Sequence, residues 1–89
     1  MAIPTETTAD IIRRLRRVEG QVHGVQQMLI DGRGCREVLT QITAARKALD
    51  QAGFMLVADG LTWCVAHPNE TDDDGNTLED IQQMFLRLA

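Results

Sequence analysis

CREVLTQITAARKALDQAGFMLVADGLTWCVAHP, residues 35–68, is the stretch on which the fold turns. Val38, Ile42, Ala45, Leu49, Ala52 and Leu56 recur at alternating spacings of four and three. That is the period of a helix presenting one apolar seam. The pattern runs on through Leu61 and Cys64 until Pro68 stops it. One long helix over 35–67 is expected, about 45 Å in length at 1.5 Å per residue. Gly53 and Gly60 each weaken it by roughly 1 kcal/mol relative to alanine, and Gly60 is where a break would fall.

The same period reads upstream. Ile11, Leu15, Val18, Val22, Val25 and Leu29 form a second seam, so a first helix is expected over 7–31, capped by Thr7 or Thr8. Asp31-Gly-Arg-Gly ends it with a turn. Residues 1–6 read as a loose arm. Downstream, 69–76 is an acidic loop, NETDDDGN, and a short third helix is expected over 77–89. Thr77-Leu-Glu-Asp opens that helix like a capping box, with Asp80 in the usual place of glutamate. Ile81, Met84, Phe85 and Leu88 make its apolar face.

This is one all-α domain of 89 residues. Three helices, one of them very long, leave an overhanging apolar stripe. Two chains pairing antiparallel would cover it and form a four-helix-bundle homodimer. The two cysteines bear on this. Cys35 and Cys64 are 29 residues apart. On one helix they fall within about 20° of the same face but about 43 Å apart along the axis. They cannot meet within a chain. Between antiparallel chains centred near Leu49 and Asp50, Cys35 of one comes level with Cys64 of the other, giving two identical shared sites. Spacing alone leaves a second reading open, two unrelated buried thiols acting as small hydrophobes.

The net charge of −4 hides an asymmetry. Between Ile11 and Lys47 stand Arg13, Arg14, Arg16, Arg17, Arg33, Arg36, Arg46 and Lys47 against Glu19, Asp31 and Glu37. From Ala48 onward, Arg87 is the lone base among eight acids. Such a split suits an anionic partner on one side of the molecule. No apolar run is long enough to span a membrane, and the N-terminus lacks the basic and apolar regions of a signal peptide. A cytoplasmic protein with reduced thiols is therefore expected.

Arg14-Leu-Arg-Arg-Val-Glu-Gly-Gln-Val-His-Gly-Val (14–25) resembles the opening helix of the CsoR/RcnR/FrmR/CstR family of metal- and thiol-sensitive transcriptional repressors. Cys35 after a glycine turn, Gln41-Ile-Thr-Ala-Ala-Arg-Lys-Ala-Leu (41–49) and Cys64 extend the likeness over about residues 8–68. The resemblance implies an all-helical dimer, assembled into a tetramer, that binds operator double-stranded DNA and releases it when the sensor site is loaded. It implies no enzymatic activity. It implies DNA contact through Arg13, Arg14, Arg16, Arg17, Arg46 and Lys47, mostly to phosphates and so steeply salt dependent.

The chain departs from the metal-sensing members. Copper sensors of the family carry a histidine four residues before the second cysteine, and here that residue is Gly60. Nickel and cobalt sensors need the same histidine. Formaldehyde sensors use a proline at the second position, where this chain has Ala2. What remains is a bare thiol pair, the pattern of the CstR-like branch, which responds to persulfides and polysulfides. Cys35, at a helix start beside Arg33 and Arg36, is the candidate attacking thiolate; Cys64 is the resolving one, with Gly60 leaving room for extra sulfur. The alternative inducer is Cu(I), which accepts two thiolates in a line, with His67 as a possible third ligand. A formaldehyde or other electrophile comes third. No resident cofactor is required. Trp63 reads as interface packing, His23 as a surface or DNA-side residue, and Asp72, Asp73 and Asp74 as a solvated loop. A thiol enzyme or metal carrier lacks a general base near either cysteine, and a coiled-coil adaptor would not need the clustered bases.

Overall fold

A computed structural model describes residues 3–89. Three α-helices carry the chain: α1 (Thr5–Ile30), α2 (Cys35–Ala66) and α3 (Leu78–Leu88), with no strand among the described residues. The protein is all-α. α2 is unbroken through both Gly53 and Gly60, so seam burial outweighs the two glycine penalties.

α1 starts at Thr5, ahead of the Thr7 or Thr8 cap expected from the sequence. Pro4 is the reason. It takes the N-cap position with φ −54°, a geometry its ring enforces, and its carbonyl accepts from the Thr8 amide at 2.9 Å. No side-chain cap is made. Thr5 and Glu6, read as part of a loose arm, are therefore helical; Met1 and Ala2 lie outside the described residues.

Gly32 ends α1. Its φ is +72°, a left-handed conformation that glycine adopts without penalty. That turn lets Arg33 N–H donate to the Met28 carbonyl at 2.9 Å and Gly32 N–H to that of Leu29 at 3.2 Å. These two bonds define a Schellman motif. Gly34 then caps α2, so the two long helices run antiparallel as a hairpin.

The seam is split between two jobs. Val38, Ala45 and Ala52 of α2 are buried, as is Val18 of α1, and the two helices pack along their length. The alternate positions stay open: Ile42 and Leu49 on α2, and Leu15, Val22 and Leu29 on α1, are all exposed. Small alanines at the crossing let the helices approach closely. The larger residues are left facing outward from the hairpin.

α3 folds back onto the C-terminal half of α2 and touches no other helix. Thr77 Oγ1 accepts from the Asp80 amide at 3.2 Å, and an Asp80 carboxylate oxygen accepts from the Thr77 amide at 2.9 Å. The expected capping box is thus complete. Asp72 organises the preceding loop, accepting from the amides of Asp74 and Asn76 and from the Asn76 side chain. Partial burial works against ionisation there, but the Asn76 donors prevail and hold the Asp72 carboxyl below its ordinary pKa.

The result is a rod of 55 × 24 × 16 Å with a radius of gyration of 16.8 Å. A compact chain of this length would have about 12 Å. Its accessible surface is 6559 Å², against about 5,200 Å² for a folded monomer of this mass.

Candidate functional site

The two thiols sit in opposite environments. Cys35 is the first residue of α2 and is exposed. It opens a broad groove of about 690 Å³ that continues along Arg36, Leu39, Thr40, Thr43, Ala44 and Lys47. Of the two arginines expected to serve Cys35, Arg33 is engaged elsewhere. Its Nε donates to Glu37 at 3.0 Å and its Nη2 pairs with the other carboxylate oxygen. Arg36 lines the groove and makes no ion pair among the described residues.

Cys64, by contrast, is 1% exposed. It forms a cluster with Val57 and Ile81, edged by Leu61, Trp63, Leu78 and Leu88. The sequence did not point to α3 as its cover. Gly60, read as leaving room beside Cys64, is itself buried. Within the chain, α2 keeps the two sulfurs about 43 Å apart.

His67 caps the C-terminus of α2. Its Nδ1 lies 2.9 Å from the Trp63 carbonyl. A carbonyl only accepts, so Nδ1 is the donor, and it is Nε2 that carries the lone pair in the neutral ring. The imidazole also stacks on the Trp63 indole, with centroids 4.3 Å apart and planes 15° apart. Trp63 therefore positions His67 as well as edging the Cys64 cluster. Among the described residues, no three His, Cys, Asp or Glu side chains converge as a metal cage.

The basic residues divide by face. Arg14, Arg17 and Gln21 follow each other by three and four residues on α1 and face Lys47 and Gln51 of α2 across a groove floored by Ala44 and Ala48. The Gln21 side-chain oxygen is buried there without a hydrogen-bond partner. Gln21 and Gln51 were not singled out from sequence, although their helical spacing from Arg17 and Lys47 was there to be read. Arg13 and Arg14 share Asp10, at 2.6 and 3.6 Å. The hydrogen bond from Arg13, with the charge of both arginines, holds the Asp10 carboxyl below its ordinary value. Arg16, Arg17 and Lys47 have no acidic partner among the described residues. Arg46 parts company with Lys47. One residue is 100° of helix, and Arg46 borders the apolar groove of Val18, Val22, Val25, Ile42 and Leu49.

An all-helical hairpin with a basic cleft, a split apolar seam and two distant thiols is the arrangement expected from the sequence for a small helical transcription regulator. Residues 7–87 match the family described as metal-sensitive transcriptional repressors, and the chain belongs to that family. It is 33% identical over 79 residues to the copper-sensing transcriptional repressor CsoR of Bacillus subtilis (strain 168), covering 89% of this chain and 78% of that protein. It is 41% identical over 61 residues to the copper-sensing transcriptional repressor RicR of Mycobacterium tuberculosis (strain ATCC 25618 / H37Rv), covering 68% of this chain and 64% of that protein. A third relative, the uncharacterized protein YrkD of Bacillus subtilis (strain 168), is 39% identical over 51 residues, 57% of this chain and 81% of its own length. No helix among the described residues is long and apolar enough to cross a membrane.

Proposed function

We propose that this chain is a cytoplasmic, homo-oligomeric repressor that holds operator DNA through the cleft of Arg14, Arg17 and Lys47. It lets go when Cys35 of one subunit and Cys64 of another react with a persulfide or polysulfide. Arg13, Arg16 and Arg46 supplement the cleft as outlying phosphate contacts.

The observation that carries this reading is the placement of the sulfurs on α2: an exposed thiol at its first residue and a second near its last turn, with no cluster of three metal-ligating side chains among the described residues. The chemistry balances without a metal. The Cys35 thiolate attacks the outer, sulfane sulfur of RS–SH. The S–S bond breaks, RS⁻ leaves and takes up a proton as RSH, and Cys35 becomes a persulfide. The Cys64 thiolate of another subunit then attacks the inner sulfur of that persulfide. A Cys35–Cys64 disulfide forms, and the terminal sulfur departs as hydrosulfide. The two cysteines are oxidised, and the sulfane sulfur is reduced.

Cu(I) is the second reading. The copper-sensing CsoR and RicR relatives favour it, as does the hydrogen bond at His67 Nδ1, which leaves Nε2 of the neutral ring able to ligate. Two thiolates from different subunits and this imidazole suit a soft monovalent ion. Gly60 weighs against it, since the residue one turn before Cys64 has no side chain to offer.

A gel-shift titration separates the two. Polysulfide is expected to free the DNA and leave a subunit-crosslinked band on a non-reducing gel. Release by one Cu(I) per chain, with polysulfide inert, would decide for copper.

A further inference from the structure

We infer that α3 is a lid over Cys64, and that its undocking from α2 gates whatever reacts or binds there. This rests on reading Cys64 as a sensor thiol, whichever inducer is used.

The argument begins with who covers the sulfur. Cys64 and Ile81 are each 1% exposed and lie in one cluster. The remaining members are Val57, Leu61 and Trp63 from α2 itself, and Leu78 and Leu88 from α3. No residue of α1 takes part, and α1 does not touch α3. A residue on the outer surface of a lone helix would be solvated. Among the described residues, α3 is therefore what takes Cys64 out of water.

The lid is weakly held elsewhere. α3 has 11 residues, below the length at which a helix persists alone in water. Beyond the Cys64 cluster it docks by Leu88, whose methyl groups come within the reach of a Cβ at Gly53, and by a tilted Phe54–Phe85 contact at 5.5 Å. Leu86 on its other side is exposed, and so is Met84 at the edge of the docked face. A short helix held along one face opens locally at a cost well below that of global unfolding. Opening frees Cys64 while the α1–α2 hairpin stays intact. Cys35 needs no such step, so an external reagent meets Cys35 first. Cys64 is withheld until the lid lifts, which guards it against unproductive oxidation.

Residue-resolved alkylation of the reduced full-length protein tests this with N-ethylmaleimide, peptide mass spectrometry and neither DNA nor inducer. Cys64 is expected to label at least tenfold more slowly than Cys35. Ile81→Ala should raise the Cys64 rate at least tenfold and leave the Cys35 rate unchanged. Thr77→Ala breaks the α3 capping box outside the cluster, and should raise the Cys64 rate roughly three- to tenfold. If Ile81→Ala does not fold, the Thr77→Ala result stands by itself. Equal labelling of both cysteines in the wild type, or a Cys64 rate untouched by Thr77→Ala, would overturn the lid. A chain that passes this test yet ignores polysulfide and copper would instead refute the sensor reading, so the two failures are distinct.

Discussion

Lys47 borders two grooves at once: the one that opens at Cys35 and the one shared with Arg14 and Arg17. Its ammonium has no acidic partner among the described residues, so its charge is available to a phosphate. Lys47→Ala should weaken binding to all duplexes alike and lower the salt-dependence slope by about one, read from gel shifts at several salt concentrations. Arg13→Ala should matter less, because Asp10 already neutralises much of its charge. The thiols make the second residue-level prediction. Cys35→Ser and Cys64→Ser should each bind operator normally and each fail to release it with polysulfide; induction surviving in either variant would refute a shared site. The sequence offered both sulfurs and the arginine cluster as candidates, because charge and spacing are written along each helix. It did not disclose that Glu37 occupies Arg33, that Arg46 turns to the apolar side, or that Cys64 is covered. Those outcomes depend on which rotamer meets which neighbour, and on a third helix returning across a loop.

At the scale of the elements, spacing was enough for the helices themselves. A four–three alternation fixes the face of α1 and α2 whatever they pack against, and the Thr77–Asp80 pair announced the α3 cap. What spacing does not encode is how a seam is apportioned. Val38, Ala45 and Ala52 are buried while Ile42 and Leu49 stay exposed, yet all five belong to one stripe. Residue volume is the clue: alanines at the intramolecular crossing, larger side chains at the open positions. Ala52 is 3% exposed, so Ala52→Leu should overpack the crossing and cost about 1–3 kcal/mol, measured by urea unfolding. The α2–α3 loop carries the pH prediction. Asp72 has a folded pKa depressed below 3.8. Its contribution to loop order is complete above its unfolded value and is lost as pH falls through the folded one. The amide resonances of Asp74 and Asn76 should therefore hold steady down to about pH 4 and shift together below it. Asp72→Asn should remove most of that acid step.

For the whole molecule, the decisive quantity is exposed apolar surface. A rod with about a quarter more surface than a folded monomer of its mass has spread its apolar residues along its length instead of gathering them. Leu15, Val22 and Leu29 on α1 with Ile42 and Leu49 on α2 make an exposed apolar band. The groove of Val18, Val22, Val25, Ile42 and Leu49 runs along its middle. The band lies between the two ends of α2, so a second copy laid antiparallel on it meets the same band in the same register. Such a pairing repeats the basic cleft by symmetry, and two linked clefts hold one duplex far more tightly than one does. Leu49→Glu sets a carboxylate in the middle of that band, where pairing would desolvate it. Sedimentation should then show single chains where the wild type sediments as dimers or larger. Thermal unfolding of the wild type should rise with protein concentration, and that of Leu49→Glu should not. Operator affinity should fall by at least tenfold although no basic residue has changed. A Leu49→Glu chain that remains oligomeric and binds DNA normally would place the partner on some other face.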